Sequence, residues 1–479
     1  MIATFPSRQA IEESKMKDIT KAKVREIIDD FAKEINDRKL SGPKPSKTVI
    51  NFRNEKDIGY ERDVFQVPIE LLRYRKDNGR IASDVLDYER HYGVLQENKE
   101  ECQEILRNFL LAKDHDKTEE LKAAMEHSGQ QEPAIITCDG FLINGNRRKM
   151  VLELLQEKSP GDSRLAFMKV VILPGKDDQG GPPSLLEIEE IENRYQLQSD
   201  GKAEYYGFDR ALSIRKKISL GMSLEAQLRD DPVYAGRDDK EFKKAVEEFN
   251  EEYLLPLDCI DRYLDSLGRQ GLYSTVAKGT GDPEGRWQAF IDYSHKYQQF
   301  KDQGKRIKLA IKEEEVGKIE QAAFRIIRKR DLEQLGLKAH KVMRDLPKWL
   351  EHKESKHELL KIADIPLSLS PEESIDRDGN EIPEREKDHI WGAKYTSQII
   401  HRIKKARDLY EHKRDRDTPI NLLEQALSKL NHDDMKTENI RFDEHYKARQ
   451  LTSDIQKRAK ELEHEIYDYM KKNKELGKK

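Results

Sequence analysis

The 479-residue chain is lean in apolar residues (36%) and rich in charged ones (38%), with 88 Lys and Arg set against 92 Asp and Glu. Its formal net charge of −4 excludes a global basic field, so any nucleic-acid contact would have to rest on a local patch. No apolar run approaches the roughly 18 residues of a membrane span, and Cys102, Cys138 and Cys259 are too scattered for a disulfide framework or a zinc cluster. The expectation is a soluble cytoplasmic protein of several domains, without a membrane partner and rich in extended, charged helices.

Residues 11–40 carry Ile19, Val24, Ile27, Ile28, Phe31 and Ile35 at roughly helical spacing and predict one long helix. Ser41-Gly42-Pro43-Lys44-Pro45-Ser46 stops it and reads as a linker. From Asp63 to Leu173 the pattern predicts a small mixed sheet with helices. It opens on Val67-Pro68-Ile69-Glu70-Leu71-Leu72 and a loop, Asp77-Asn78-Gly79-Arg80, and continues through a charged helical stretch, residues 85–127.

Residues 134–156 are the most informative stretch. Ala134 to Thr137 is β-prone, Asp139-Gly140 is a tight-turn dipeptide, Phe141-Leu142-Ile143 is a second strand, and Asn144-Gly145-Asn146 leads into an amphipathic helix with Met150, Val151, Leu154 and Leu155 on one face. Asn146 is the expected N-cap, which places Arg147, Arg148 and Lys149 in the first helical turn. Cations there oppose the helix dipole, at a cost of roughly 0.3 to 1 kcal/mol each. An anion would reverse that sign. Free N–H groups, a glycine that admits close approach and two guanidiniums describe a phosphate-binding corner. The competing reading is a charge cluster that is solvated or paired with carboxylates.

The order Asp139-Gly140, apolar run, Gly145-Asn146-Arg147-Arg148, apolar helix resembles the central motif of the ParB/sulfiredoxin-like superfamily, in which a GxRR turn contacts nucleotide phosphates. The Arg80 loop upstream is similar to that family's Arg-containing loop, and Glu190-Ile191-Glu192-Asn193-Arg194 downstream resembles its ENxxR segment. The resemblance covers about residues 63–221. It implies a small mixed-sheet domain that holds CTP or ATP at Gly145, Asn146, Arg147, Arg148, Arg80 and Arg194, with Mg²⁺ at Glu192 and Asn193. A carboxylate beside a carboxamide is a reasonable oxygen pair for that ion. The pattern departs from the family where the expected Arg, three residues after Asn193, is Gln196. The cysteine that sulfiredoxins need is replaced by Asn146, which argues against sulfinic acid reduction. Glu192 and Asp139 are the only carboxylates well placed to serve as a base or metal ligand, too few to assign a reaction; hydrolysis, if any, would be slow.

Beyond Leu173, residues 175–183 form a Gly- and Pro-containing loop without the Gly-Lys-Ser/Thr ending of a P-loop. Residues 184–198 and 205–220 predict helices. A helix-turn-helix DNA reader follows in ParB-like proteins, but here the next helices bring Asp258, Asp261 and Asp265, which would repel phosphates. After a break at residues 278–285 the chain reads as helical almost throughout. Lys301, Lys305, Arg306, Lys308, Arg325, Arg328, Lys329 and Arg330 make its most basic stretch, read as a solvated face or as a track for a phosphate backbone. Asp376-Arg377-Asp378-Gly379-Asn380 has its glycine too early for a calcium loop and reads as a turn. The last helix, residues 442–474, aligns Tyr446, Leu451, Ile455, Leu462, Ile466 and Tyr469, either as a coiled-coil seam for a homodimer or partner protein or as a face packed on its own domain.

The resulting fold class is α+β: an N-terminal helix and linker (1–60), a small mixed-sheet ParB/sulfiredoxin-like nucleotide-binding domain (61–200), a degenerate helix-turn-helix-like region (201–277) and a highly charged all-α region (278–479). The leading functional expectation is a nucleotide-binding switch acting on DNA or a DNA-associated partner. The alternatives are a helical interaction module of a mobile element or defence system, with a non-catalytic ParB-like domain, and a metal-dependent nuclease.

Overall fold

A computed structural model describes residues 23–53, 61–113, 115–197, 207–277, 286–414 and 419–476. The fold is α+β, with a five-stranded mixed sheet among many helices. By its contacts the chain divides into two compact units. The first comprises the described residues within Met1–His295 and Leu367–Trp391, the second those within Lys296–Pro366 and Gly392–Lys479.

In the first unit, helix α1 (Asp29–Ser41) precedes strands β1 (Ser46–Val49) and β2 (Glu61–Pro68). Helices α2 (Ala82–Tyr92), α3 (Glu100–Leu111) and α4 (His115–Ser128) lead to the hairpin β3 (Ala134–Ile136) and β4 (Leu142–Asn144), then α5 (Asn146–Lys158), β5 (Phe167–Ile172) and α6 (Leu185–Leu197). The strand order is β1-β2-β5-β3-β4. β3 and β5 are parallel, with Ile135 opposite Val171, so the chain between them must cross a face of the sheet, and α5 lies in that crossover. The other pairings are antiparallel.

Alternation along the strands feeds two cores. Val67, Ala134, Ile136, Leu142, Met168 and Val170 pack with Met150, Val151 and Leu155 of α5 on one side. Val64, Ile135, Ile143 and Val171 pack with Ile188 and Ile191 of α6 on the other. This is why β3 is apolar at every position: a strand covered on both faces has no solvent side.

The single helix expected over residues 11–40 is not what forms within the described part; residues 1–22 lie outside it. Residues 23–28 are extended, with Val24 bridging Ser184 and Leu185 N–H donating to the Lys23 carbonyl at 2.9 Å. The cause is Asp139, fully buried in the hairpin turn. Its Oδ2 accepts from Arg25 Nη1 at 2.7 Å and from Ile28 N–H at 3.1 Å, and Thr137 Oγ1 donates to its other oxygen. Arg25 also lies 3.8 Å above the Phe141 ring. A carboxylate satisfied this fully serves the fold, not proton transfer.

The unit continues through α7 (Gly207–Ser219), α8 (Leu224–Arg229), α9 (Pro232–Ala235), α10 (Asp239–Phe249) and α11 (Leu255–Ser266), and α12 (Trp287–Lys301) begins in it. Asp231 and Asp238 cap α9 and α10 through their side chains. Residues 367–391 join this unit through buried ions: Asp388 bridges Arg269 and Arg286, both at 2.8 Å.

The second unit holds α13 (Gln303–Lys308), α14 (Glu313–Lys329), a two-residue pair β6 (Asp331–Leu332) and β7 (Leu337–Lys338), α15 (Ala339–Leu350), α16 (Lys353–Leu360), most of α17 (Glu384–Arg414), α18 (Pro419–Leu430) and α19 (His445–Leu476). Arg306, Arg325 and Arg328 of the basic stretch are neither solvated nor available to a phosphate backbone; they are buried. Arg306 donates to the Lys301 carbonyl at 2.8 Å, and Arg325 to the carbonyls of Ile365 (2.5 Å) and Gln321 (3.0 Å). Arg306 and Arg325 thus satisfy backbone carbonyls, those of Lys301 at the end of α12 and of Ile365 among them, from within the fold.

Candidate functional site

The corner between β4 and α5 is set by Gly145, which takes the N-cap position in the left-handed region at φ 88°. Asn146, the expected cap, is instead the first helical residue. The Asn144 side chain turns back to accept from Ile135 N–H at 2.6 Å. A Cβ at Gly145 would stand 2.6 Å from Ala134 Cβ and 3.1 Å from Met168 Cε, so the hairpin and helix close on each other only because the residue is glycine. The fold itself demands that glycine, whatever ligand the corner takes.

The first turn of α5 contains no acidic residue. Its three cations have different positions. Lys149 is buried, 4.1 Å from the centre of the Tyr74 ring, and pairs with Glu153. Arg148 donates to the carbonyl of Glu132 and, at 3.4 Å, to that of Pro133, so it fixes the entry to β3; burial holds its guanidinium below the ordinary value. Arg147 is half-buried at the helix start. Asn146 is only 7% exposed, and its buried Oδ1 has no hydrogen-bond partner among the described residues. Leaving such an acceptor unsatisfied costs about 1–3 kcal/mol, and only a donor could meet it.

Arg194 lies on α6, 3.8 Å from Asp230. Its Nη1 donates to the Asn51 carbonyl at 2.7 Å, and Arg148 and Arg194 both act electrostatically on Tyr195, whose hydroxyl is pushed up mainly by burial. Arg80 belongs to a separate group. It sits on a turn whose neighbouring Gly79 N–H donates to Glu192 Oε1 at 3.2 Å.

The pair expected to hold Mg²⁺ is buried among cations. Glu192 Oε2 accepts from Arg75, which also lies 3.3 Å from Glu189. Asn193 Oδ1 lies 3.4 Å from Lys217 Nζ, and its amide donates to the Gln227 carbonyl at 3.1 Å. No group of three His, Cys, Asp or Glu side chains suited to a metal occurs among the described residues. This donor set does not fit a magnesium ion: its oxygens face Arg75 and Lys217, and a second cation there would be repelled. Burial alone would lower the Arg75 pKa, but Glu192 and Glu189 outweigh it and raise it. Burial lowers that of Lys217 against the pull of Glu192 and Glu189. Arg75, Lys216 and Lys217 went unremarked in the sequence. The available signals were Lys217, three residues after Ile214 on the buried face of α7, and an arginine two residues ahead of the Asp77 loop.

A cavity of about 380 Å³ opens elsewhere, along α11, lined by Asp261, Asp265, Gln270 and Tyr273 among others; none of the predicted site residues borders it. Its carboxylates are engaged: Asp261 by Arg215 and by Tyr273 Oη at 2.6 Å, Asp265 by Gln270. No protein-family model, curated protein or solved structure matches the chain.

Proposed function

We propose that the first unit carries a ParB-like phosphate-binding module that takes a nucleoside triphosphate, CTP or ATP, at the start of α5, and that its occupancy acts as a switch on DNA or a DNA-associated partner. The observation that carries the reading is the α5 corner itself. It has a positive first turn without any carboxylate and a left-handed glycine at the cap. A phosphate would turn the unfavourable cation–dipole arrangement into a favourable one, and the order of the surrounding elements is the one the resemblance implies. In this reading Arg147 and the Asn146 Nδ2 amide donate to the anion, Arg148 and Arg194 hold the strand and loop behind it, and Glu192 secures the Gly79–Arg80 turn by accepting from Gly79 N–H instead of binding metal. Both Glu192 and Asp139 are committed to cations, so no base is assigned and hydrolysis is not part of the proposal.

The test is calorimetric titration of the full chain with CTP, ATP and GTP in Mg²⁺, with and without duplex DNA, beside Arg147→Ala and Asn146→Ala. Saturable binding of one triphosphate, weakened at least tenfold in either variant, is the expected result. Absence of binding to every triphosphate in both DNA conditions, or binding indifferent to both variants, overturns the assignment.

A further inference from the structure

The closing helix α19 is 32 residues long, and none of its described side chains is buried. Phe442, Tyr446, Leu451, Ile455, Ile466 and Tyr469 all stand exposed, Ile455 at 46% and Ile466 at 45%. A lone helix in water gains little from propensity and ordinarily depends on a packed apolar face. Here that face exists in sequence and has no cover among the described residues.

Its spacing says what would cover it. The apolar positions Ala448, Leu451, Ile455, Ala459, Leu462, Ile466 and Tyr469 follow one another by steps of three and four, averaging the 3.5-residue period of a left-handed coiled-coil seam. From Ala459 the heptad places Leu462 at d and Ile466 at a. Before the one extra four-residue step, Leu451 is at d and Ile455 at a. Ile at a with Leu at d is the combination that favours two parallel strands. Charge agrees. In this register Arg458 occupies g and Glu463 the following e, so in a parallel, in-register pair each Arg458 meets the Glu463 of the other helix. The pattern is therefore complementary to itself, as a two-fold interface requires.

We propose that α19 is a dimerisation helix, its occupant the α19 of a second copy of this chain in a parallel two-stranded coiled coil. This inference is independent of the nucleotide reading.

The experiment is sedimentation equilibrium of the full chain across the micromolar range. Wild type is expected at twice the 56.0 kDa chain mass, and Ile455→Glu with Ile466→Glu is expected to weaken association at least 100-fold while the thermal unfolding of the remaining structure is unchanged. A monomeric wild type overturns the proposal. So does a double variant that stays dimeric, for instance through the exposed apolar face of α18. Leu462→Cys, at a d position, should form a disulfide-linked dimer on mild oxidation beyond any formed by the native cysteines; a dimer that does not cross-link there overturns the parallel arrangement.

Discussion

Replacing Arg75 with methionine tests whether the buried ion cluster, and not a metal, organises the ground between the Arg80 turn and α6. Arg75 is only 3% exposed and serves three acceptors: Glu192, Glu189 at 3.3 Å and the Asp77 carbonyl at 3.2 Å. Methionine fills similar volume but strands two buried carboxylates. Breaking a buried pair from one side costs about 3–5 kcal/mol. Lys216 remains 3.4 Å from Glu189, and Gly79 N–H still donates to Glu192, so the lower end, about 3 kcal/mol, is expected at pH 7. The loss should depend on pH. The Glu189 carboxyl is already raised by burial and then by Glu192, and without Arg75 it rises further. A group raised in the folded state stabilises fully below its unfolded value and loses that contribution as pH climbs through the folded one. The deficit should therefore shrink between pH 7 and pH 5. Amide hydrogen exchange in peptides covering residues 70–92 and 185–197 reads this locally, without assuming that two units unfold together. A fall in opening free energy below about 1 kcal/mol at pH 7, or one that does not shrink at pH 5, refutes the reasoning. Adding Glu192→Gln should recover part of the loss, since only one stranded carboxylate then remains.

Glu358 is held down to about 2 because hydrogen bonds from Lys361, Arg402 and Lys405 overcome its burial. Its contribution, about 1–2 kcal/mol after allowing for the part-exposed partners, should be lost as pH falls from its ordinary 4.5 towards 2, and Glu358→Gln should flatten that acid limb in a urea titration. Asp87 behaves oppositely. Burial chiefly, with help from Asp84, raises it to about 7 against the Ser274 N–H it accepts. Stability present below its ordinary 3.8 is lost as pH rises through about 7, so Asp87→Asn should stabilise the first unit at pH 8 by about 1–2 kcal/mol in thermal melts. Gly145→Ala forces an L residue into the left-handed region against Ala134, and should cost at least about 1–3 kcal/mol with or without nucleotide; a neutral outcome would mean the corner is looser than described.

The elements that the sequence made legible are those whose signals are local. The hairpin announced itself through Asp139-Gly140 between two apolar runs, and α5 through its period. Glycine at the corner was visible too, but its reason was not: the contact with Ala134 and Met168 depends on β3 and β5 lying side by side, which no spacing records. Asp139 and Glu192 show the same limit from the other direction. As residue types they are fit to be bases or metal ligands, and what removes them from those roles is a partner far along the chain, Arg25 for one and Arg75 for the other, separated by 114 and 117 residues. Three residues of the basic stretch, Arg306, Arg325 and Arg328, depart from a solvated face for a like reason, while Lys301, Lys305 and Lys308 stand exposed as that reading has it. Hydropathy scores Arg306 and Arg325 as surface residues, yet a guanidinium that can satisfy several carbonyls at once is suited to closing helix ends from inside. Charge in this chain is therefore a poor guide to exposure within the cores and a good one along α19, where the period of the apolar residues and the charges beside them serve the same face. Where pattern and burial disagree, as at Glu192 and Arg325, the residue is holding the fold together. At α19 an apolar pattern has no burial to match it, and that mismatch points outside the chain.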